Sequence, residues 1–541
     1  MREKIISSQK LLILHSSLNM SKPPTKVIFL WHMHQPSYKH PHADYYVLPW
    51  VRLHGIKDYY GMARMIEKFD KIKVAFNFSG VLLTQLFDYA HNQAVDYYLL
   101  LTLKNPSSLK KEEVDFIVDR FFSVNFERFI RPNQRYLQLY NKKLTARRRF
   151  NPQEIVDLQV LFNLCWFHPY TFREDKHLKK LFLKGRHYTR EDKEYVVKKQ
   201  YEIIAQIIPL YKRLSAHKRI ELTVTPYHHP ILPLIYDSDV LKEFSYLKKP
   251  ILRFTSPSDC TWHITRATEV FRDIFESNPV GSWPSEGSIS EDVVSLYGQQ
   301  GFRWIATDEA ILFRSLTTDY VPFDMIKNQR HLIYRPYKFK GVNIFFRDRN
   351  LSDAISFIYQ GWEDSVFAAN DLLEHFKRIH YHLKDNFKDN VITIIMDGEN
   401  AWEYYKNNGI EFLETIYSAL EKSQILSPAI PCEFLAHYHS KNIQRLSSGS
   451  WINGDFGVWI GSKKNNSYWY ILKRIRDLIA KSRAEKQKLE WAKDYLRLLE
   501  GSDWFWWNTF EDIHGEFRKI FLAYVAEIYH LLGRKVPSYI K

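Results

Sequence analysis

Short apolar runs that break off into polar residues recur along this chain. The first is KVIFLWHMHQP, Lys26 to Pro36, where an apolar strand from Val27 to Leu30 gives way to histidines and a proline stop. HGIKDYYGMARMIEKF follows, with Ile56, Tyr59, Tyr60, Ala63, Ile66 and Phe69 near helical spacing. KVAFNFSG predicts a second strand with Asn77 at its polar end. Residues 103–150 read as helical and basic, an insertion rather than part of a repeating sheet. VDLQVLFNLCWFHP is apolar up to His168–Pro169, and IELTVTPYHHPILPL predicts a strand over Leu222 to Val224 that opens into a loop of histidines and prolines. GSWPSEGSIS, Gly281 to Ser290, lies between a helix over about 264–275 and another starting near Ser290. Strands are also predicted at Trp304 to Ala306 and Asn343 to Phe346. VITIIMDGENAWEYY, Val391 to Tyr405, is nearly all apolar until Asp397, as in a parallel strand covered on both faces.

Alternation of strand and helix over this span predicts a parallel α/β architecture, barrel-like, with polar residues at the carboxyl ends of strands. Beyond Tyr405 the texture becomes long helices. A chain of 541 residues exceeds one ordinary core. The expected division is a flexible segment at 1–25, a catalytic α/β barrel with helical insertions at 26–405, and a helical domain at 406–541 that contributes to the cleft.

Composition narrows the chemistry. The 36 Phe, 34 Tyr and 15 Trp offer flat rings suited to sugar faces, nucleobases, interfaces or cores. The charge of +16 is spread over modest clusters at 142–150, 178–186 and 473–488. With no arginine-rich arm or zinc-finger spacing, solvated helix faces explain these clusters better than a nucleic-acid site. Three scattered thiols, Cys165, Cys260 and Cys432, fit a reducing compartment. The first twenty residues lack the hydrophobic core and cleavage site of a secretory signal, and no stretch approaches the ~20 apolar residues of a membrane span. A cytoplasmic protein without a membrane partner is expected.

Glu286 follows Trp283–Pro284 and precedes Gly287, so backbone there can pass close to a bulky ligand. Asp397 closes an apolar strand, where partial burial would raise its pKa. Breaking a glycosidic bond needs one acid to protonate the leaving oxygen and a second carboxylate to attack or to activate water. Strand-end carboxylates also simply cap helices. His32 and His34, two apart, would face the same side of a continuing strand. With His168, His228, His229 and His263 they raise the question of zinc, but the spacing matches no compact zinc motif and Glu399 completes none. Neutral imidazoles hydrogen-bonding to sugar hydroxyls are preferred to a metal, and no cofactor is expected.

Taken together, HMHQP at 32–36, LFNLCWFHP at 161–169, TPYHHPILPL at 225–234, GSWPSEGSIS at 281–290, DGENAWEYY at 397–405 and GSDWFWW at 501–507 resemble glycoside hydrolase family fifty-seven, in its α-amylase and amylopullulanase-type branch. The resemblance implies an irregular (β/α)7 barrel followed by an α-helical domain, and a retaining reaction on α-glucans such as starch, glycogen or malto-oligosaccharides. It implies Glu286 as nucleophile and Asp397 as general acid/base. His32, His34, Gln35, His229, Trp283, Trp402 and Trp459 are the implied substrate contacts, Trp459 through the segment WINGDFGVWIG. Three segments depart from the family pattern: His168 stands where a carboxylate is usual, NTFEDIHGEF follows GSDWFWW in place of a compact acidic run, and Cys260 occupies a variable site. Hydrolysis of α-1,4 bonds, attack on α-1,6 bonds, 4-α-glucanotransfer and noncatalytic glucan binding all stay open on the sequence.

Overall fold

The computed structural model describes residues 23–145, 149–247, 253–317, 323–383, 390–510 and 512–538. Residues 1–22, most of the segment expected to be flexible, lie outside that range. The strands in chain order are β1 (Thr25–Met33), β2 (Val74–Ser79), β3 (Ile220–Thr225), β4 (Gly281–Ser282), β5 (Trp304–Asp308), β6 (Tyr337–Phe339), β7 (Val342–Arg347), β8 (Val391–Asp397), β9 (Leu426–Pro428) and β10 (Lys441–Asn442).

They form two sheets. One runs β3–β2–β1–β8 with β9 added to β1, and every pairing in it is parallel. The other runs β10–β6–β7–β5–β4, in which only β6–β7 is antiparallel. β2, β3 and β5 are buried at every residue, and β8 at all but its last, which explains why these strands are apolar runs rather than alternating patterns. The sheets approach at both edges. Between β3 and β4 the Ser282 hydroxyl donates to Val224 O at 2.7 Å, and between β7 and β8 Asp348 N donates to Thr393 O at 2.9 Å.

One row of this lattice matters for function. Asp397 is in register with His32, His32 with Asn77, and Asn77 with Thr223. Register partners in a parallel sheet send their side chains to the same face, so four polar groups from four strands stand side by side near the carboxyl ends.

Residues 103–150 hold the expected helices, at Lys111–Arg120 and Gln134–Lys143, and the stretch between β2 and β3 adds others at Tyr97–Leu103, Pro152–Leu164 and Arg190–Ala216. Its anchor is Arg52, fully buried, which donates to both Asp96 oxygens at 2.7 and 3.1 Å and to Asn163 and Gln200. The apolar stretch ending at His168 is one of these helices, because Asn151 and Glu154 form a capping box with Pro152 at the first turn.

The boundary expected after 405 is displaced. Residues 426–428 pair with β1 and residues 441–442 with β6, so both sheets draw strands from beyond that point. A segment with three-residue and two-residue strands carries too little alternation to read as sheet from sequence. The helices that follow, Lys463–Lys481, Lys486–Leu499, Ser502–Thr509 and Glu516–Leu531, pack on one another through Tyr468 on Phe521 (4.0 Å, 9°) and Trp469 on Phe505 (4.8 Å). Among the described residues no helix is long and apolar enough to cross a membrane. The three cysteines are free thiols.

Candidate active site

A cleft of about 790 Å³ opens at the carboxyl ends of the strands and is lined by both Glu286 and Asp397. Glu286 sits in a single tight turn at Ser285–Gly287 with φ +56° and ψ +26°, a left-handed conformation that non-glycine residues avoid. Gly287 follows at φ +57°, and a Cβ there would lie 2.5 Å from the Trp283 ring. The glycine therefore leaves room for the Trp283 indole against the turn. Trp451 then clamps Glu286 twice: its backbone N donates to Glu286 O at 3.0 Å, and its indole N–H to Oε2 at 2.8 Å.

Burial pushes the Glu286 carboxyl up to about 8, the Trp451 N–H opposes that rise, and the charges of Asp397 and Asp503 add to it. Asp397 is different. Expected to be partly buried, it is exposed, since it ends β8 and its side chain leaves the sheet into the cleft. Asn400 Nδ2 donates to its Oδ2 at 2.9 Å. Of the pair, Glu286 is the more enclosed, its side chain 17% exposed. Two residues beyond Asp397, Glu399 is buried and held well above the usual carboxylate range, by burial first and then by Asp397. It accepts from Gln35 Nε2 at 2.9 Å and from His34 N at 3.4 Å, which spends the Gln35 amide on protein even though Gln35 lines the cleft.

His32 and His34 do face one way, with rings 5.9 Å apart, and His229 stacks on His34 at 3.9 Å and 14°. Each uses Nδ1 on a neighbour: Asn77 for His32, Ser79 for His34 and Ser502 for His229. His34 Nε2 lies 3.0 Å from both Asp503 oxygens. Burial lowers His32 to about 4 and takes His229 well below its ordinary value, so both are neutral near pH 7. Ligand atoms of His34, His229 and Asp503 come within 4.8 Å of one another. Both nitrogens of each ring already face protein partners, Ser79 and Asp503 for His34 and Ser502 and His32 for His229. The other histidines weighed for zinc are elsewhere. His168 caps the helix Pro169–Glu174 and packs on Gly61, His228 stacks on Trp262, and His263 is buried against Glu500 at 3.1 Å.

Two expected sugar contacts are corrected. Trp402 is wholly buried, edge-on to Trp31 at 5.8 Å, with its N–H on Gly398 O. Trp459 is also wholly buried and takes the Trp469 N–H on its carbonyl. Both belong to the core, where the turns that carry them pack their rings among buried hydrophobic residues. Trp283, His32, His34 and His229 line the cleft.

Residues not singled out by sequence complete the site. Trp50, Trp166, Trp451, Trp506 and Trp507 line it, with Arg347 and Asp503. Trp451 opens the same segment, WINGDFGVWIG, that carries Trp459; the antiparallel bridge of Ile289 with Gly449, invisible locally, is what brings it to Glu286. Ser502 and Asp503 arrive because Gly501 bridges Pro230 and Ser502 N donates to His229 O at 2.9 Å. A Cβ on Gly501 would meet His228 O at 2.6 Å, so only glycine permits that approach. The GSDWFWW motif was the available signal.

A parallel α/β scaffold that gathers two carboxylates, stacked imidazoles and indoles at the carboxyl ends of its strands has the makings of a glycoside-processing site. The sequence profile described as glycosyl hydrolase family 57 matches residues 28–447, and the chain belongs to that family. No curated protein matches it in sequence. Among solved structures it resembles a family 57 branching enzyme from Pyrococcus horikoshii, with a TM-score of 0.62 at 14% identity over 94% of this chain and 90% of that one. A branching enzyme from Thermococcus kodakaraensis gives 0.60 at 15% over 94% and 90%, and the α-amylase AmyC from Thermotoga maritima 0.59 at 14% over 96% and 95%. At such identity these structures speak for the fold.

Proposed function

We propose that this chain is a retaining enzyme of α-glucans, with Glu286 as nucleophile and Asp397 as general acid/base. The observation that carries the reading is the sharing of one aromatic cleft by Glu286 and Asp397, acids 397 − 286 = 111 residues apart. The seams at β3–β4 and β7–β8 support closing β1, β2, β3, β4, β5, β7 and β8 into one seven-stranded barrel. The helices from Lys463 onward would then form the added domain, lending Ser502 and Asp503 to the cleft.

In the first step a Glu286 oxygen attacks the anomeric carbon. The bond to the glycosidic oxygen breaks, its electron pair stays on that oxygen, and Asp397 supplies the proton. In the second, ionised Asp397 removes a proton from water or from a sugar hydroxyl, whose oxygen attacks the same carbon and releases Glu286 as carboxylate. Exposure of Asp397 to the cleft suits a group that must meet both leaving group and acceptor. His32, His34, His229 and Trp283 would form the wall of the subsite for the reacting sugar. Water favours hydrolysis and a bound glucan favours transfer. Phe357, Tyr404 and Ile513, apolar, exposed and on the cleft wall, favour a glucan acceptor beside water. Free thiols suit work in the cytoplasm.

A second reading has a specific motive: Glu286 is the more enclosed of the two acids, and enclosure by itself would make it the proton donor. Trapping with a 5-fluoro-α-glucosyl fluoride followed by peptide mass spectrometry decides. Label on Glu286 supports the assignment, and label on Asp397 reverses it. Chromatography of products from maltoheptaose, pullulan and glycogen, with Glu286→Gln as the inactive control, tests the activity; near-normal turnover by that variant would end the proposal.

A further inference from the structure

We propose that Asn77 is a positioning residue that directs, through His32, His229 and Ser502, a hydrogen bond onto the nucleophile; this rests on the Glu286 assignment above. Asn77, Thr223 and Thr225 are completely buried, so their polar atoms must satisfy one another. Thr225 Oγ1 stands 2.6 Å from Trp283 O and 2.6 Å from Asn77 Oδ1. A threonine hydroxyl has one proton, and two acceptors cannot both receive it. Trp283 O is a carbonyl and can only accept. The atom of Asn77 at this place must therefore donate, which a half-turn of the amide achieves by exchanging its oxygen and nitrogen.

Turned so, the amide donates to Thr225 Oγ1 and, over 2.7 Å, to His32 Nδ1, while its oxygen accepts from Thr223 Oγ1 across 2.9 Å. Thr223 thereby gains a closer acceptor than Phe76 O at 3.3 Å. The rest follows from each neutral imidazole carrying one N–H. His32 accepts at Nδ1, so its proton is on Nε2 and is given to His229 Nε2 at 3.2 Å. His229 then carries its proton on Nδ1 and donates to Ser502 Oγ at 2.8 Å. The Ser502 proton is left for Glu286 Oε1 at 3.5 Å.

The direction also suits the charge. His229 Nδ1 lies 3.8 Å from Glu286 Oε1, where an N–H attracts a carboxylate and a lone pair repels it. With Trp451 on Oε2, both nucleophile oxygens receive a donor. Against them stand burial and the charges of Asp397 and Asp503; Arg347 reaches the assembly only over the Trp451 ring, at 5.2 Å.

Neutron diffraction from deuterium-exchanged crystals reads the chain without turnover. Deuterium on His32 Nε2 and His229 Nδ1 is expected; deuterium on His32 Nδ1 and His229 Nε2 overturns the proposal. Because that measurement is independent of catalysis, its failure is distinct from failure of the trapping experiment. The functional arm uses Asn77→Asp, which when ionised can only accept and so reverses every donor. The acidic limb of kcat/KM should move up by about one pH unit, and the shift should vanish in a Ser502→Ala background. A shift of equal size in that background would mean a through-space charge effect and would also overturn the proposal.

Discussion

Replacing Trp451 by phenylalanine keeps an aromatic ring on the cleft wall but deletes the N–H that donates to Glu286 Oε2 at 2.8 Å. A hydrogen bond to a charged group contributes about 1.5–3 kcal/mol. The bond is made to the ionised carboxylate, so its loss disfavours ionisation and raises a pKa that burial already holds at about 8. At 1.36 kcal/mol per pH unit the rise is about 1 to 2 units. A nucleophile works ionised, so activity is present above this pKa and lost as pH falls through it. The acidic limb of kcat/KM on maltoheptaose should therefore move up by that amount, and the rate near pH 7 should fall by roughly 10- to 100-fold. At high pH the variant should approach the parent, which separates a pKa effect from a damaged site. An acidic limb that stays in place, or moves down, would refute the role given to this indole.

Glu286→Gln should stabilise the fold in a pH-dependent way. The folded pKa is raised above the unfolded value, so the carboxyl's contribution is fully present at low pH and is lost as pH rises toward about 8. The Tm advantage of the variant should be near zero at pH 4 and grow by the equivalent of about 1.4 kcal/mol per pH unit from there toward pH 8. Asp96→Ala leaves the fully buried Arg52 guanidinium without its carboxylate and should cost about 3–5 kcal/mol in urea unfolding. Trp402→Ala should cost a similar ~3–5 kcal/mol through its cavity, whereas Trp402→Phe should leave KM for maltoheptaose within about twofold; a large KM rise in a stable Trp402→Phe protein would restore it as a sugar contact. Phe357→Ala with Tyr404→Ala should leave Tm unchanged and lower the ratio of transfer to hydrolysis products from maltoheptaose.

The sequence showed what repeats locally and hid what only pairing creates. β1, β2, β3, β5, β7 and β8 were legible because a strand covered on both faces must be apolar throughout, and the break to polar residues marks its carboxyl end. For that reason the acids and histidines at those breaks were found, while Trp451, Ser502 and Asp503 were not. Their presence at the cleft depends on single bridges, Ile289 with Gly449 and Pro230 with Gly501, that leave no period in the chain. Burial is hidden from the sequence for the same reason. Asp397 ends an apolar strand yet points into open cleft, and Glu286 sits among small residues yet is roofed by an indole from residue 451. Trp402 and Trp459 stand in motifs rich in site residues, but both lie in turns that fold their rings into the core, which no local period announces. Chemistry at this cleft is therefore set less by the acids, which the sequence announces, than by the donors packed around them. Those donors decide whether the buried carboxylate is a nucleophile or a proton source.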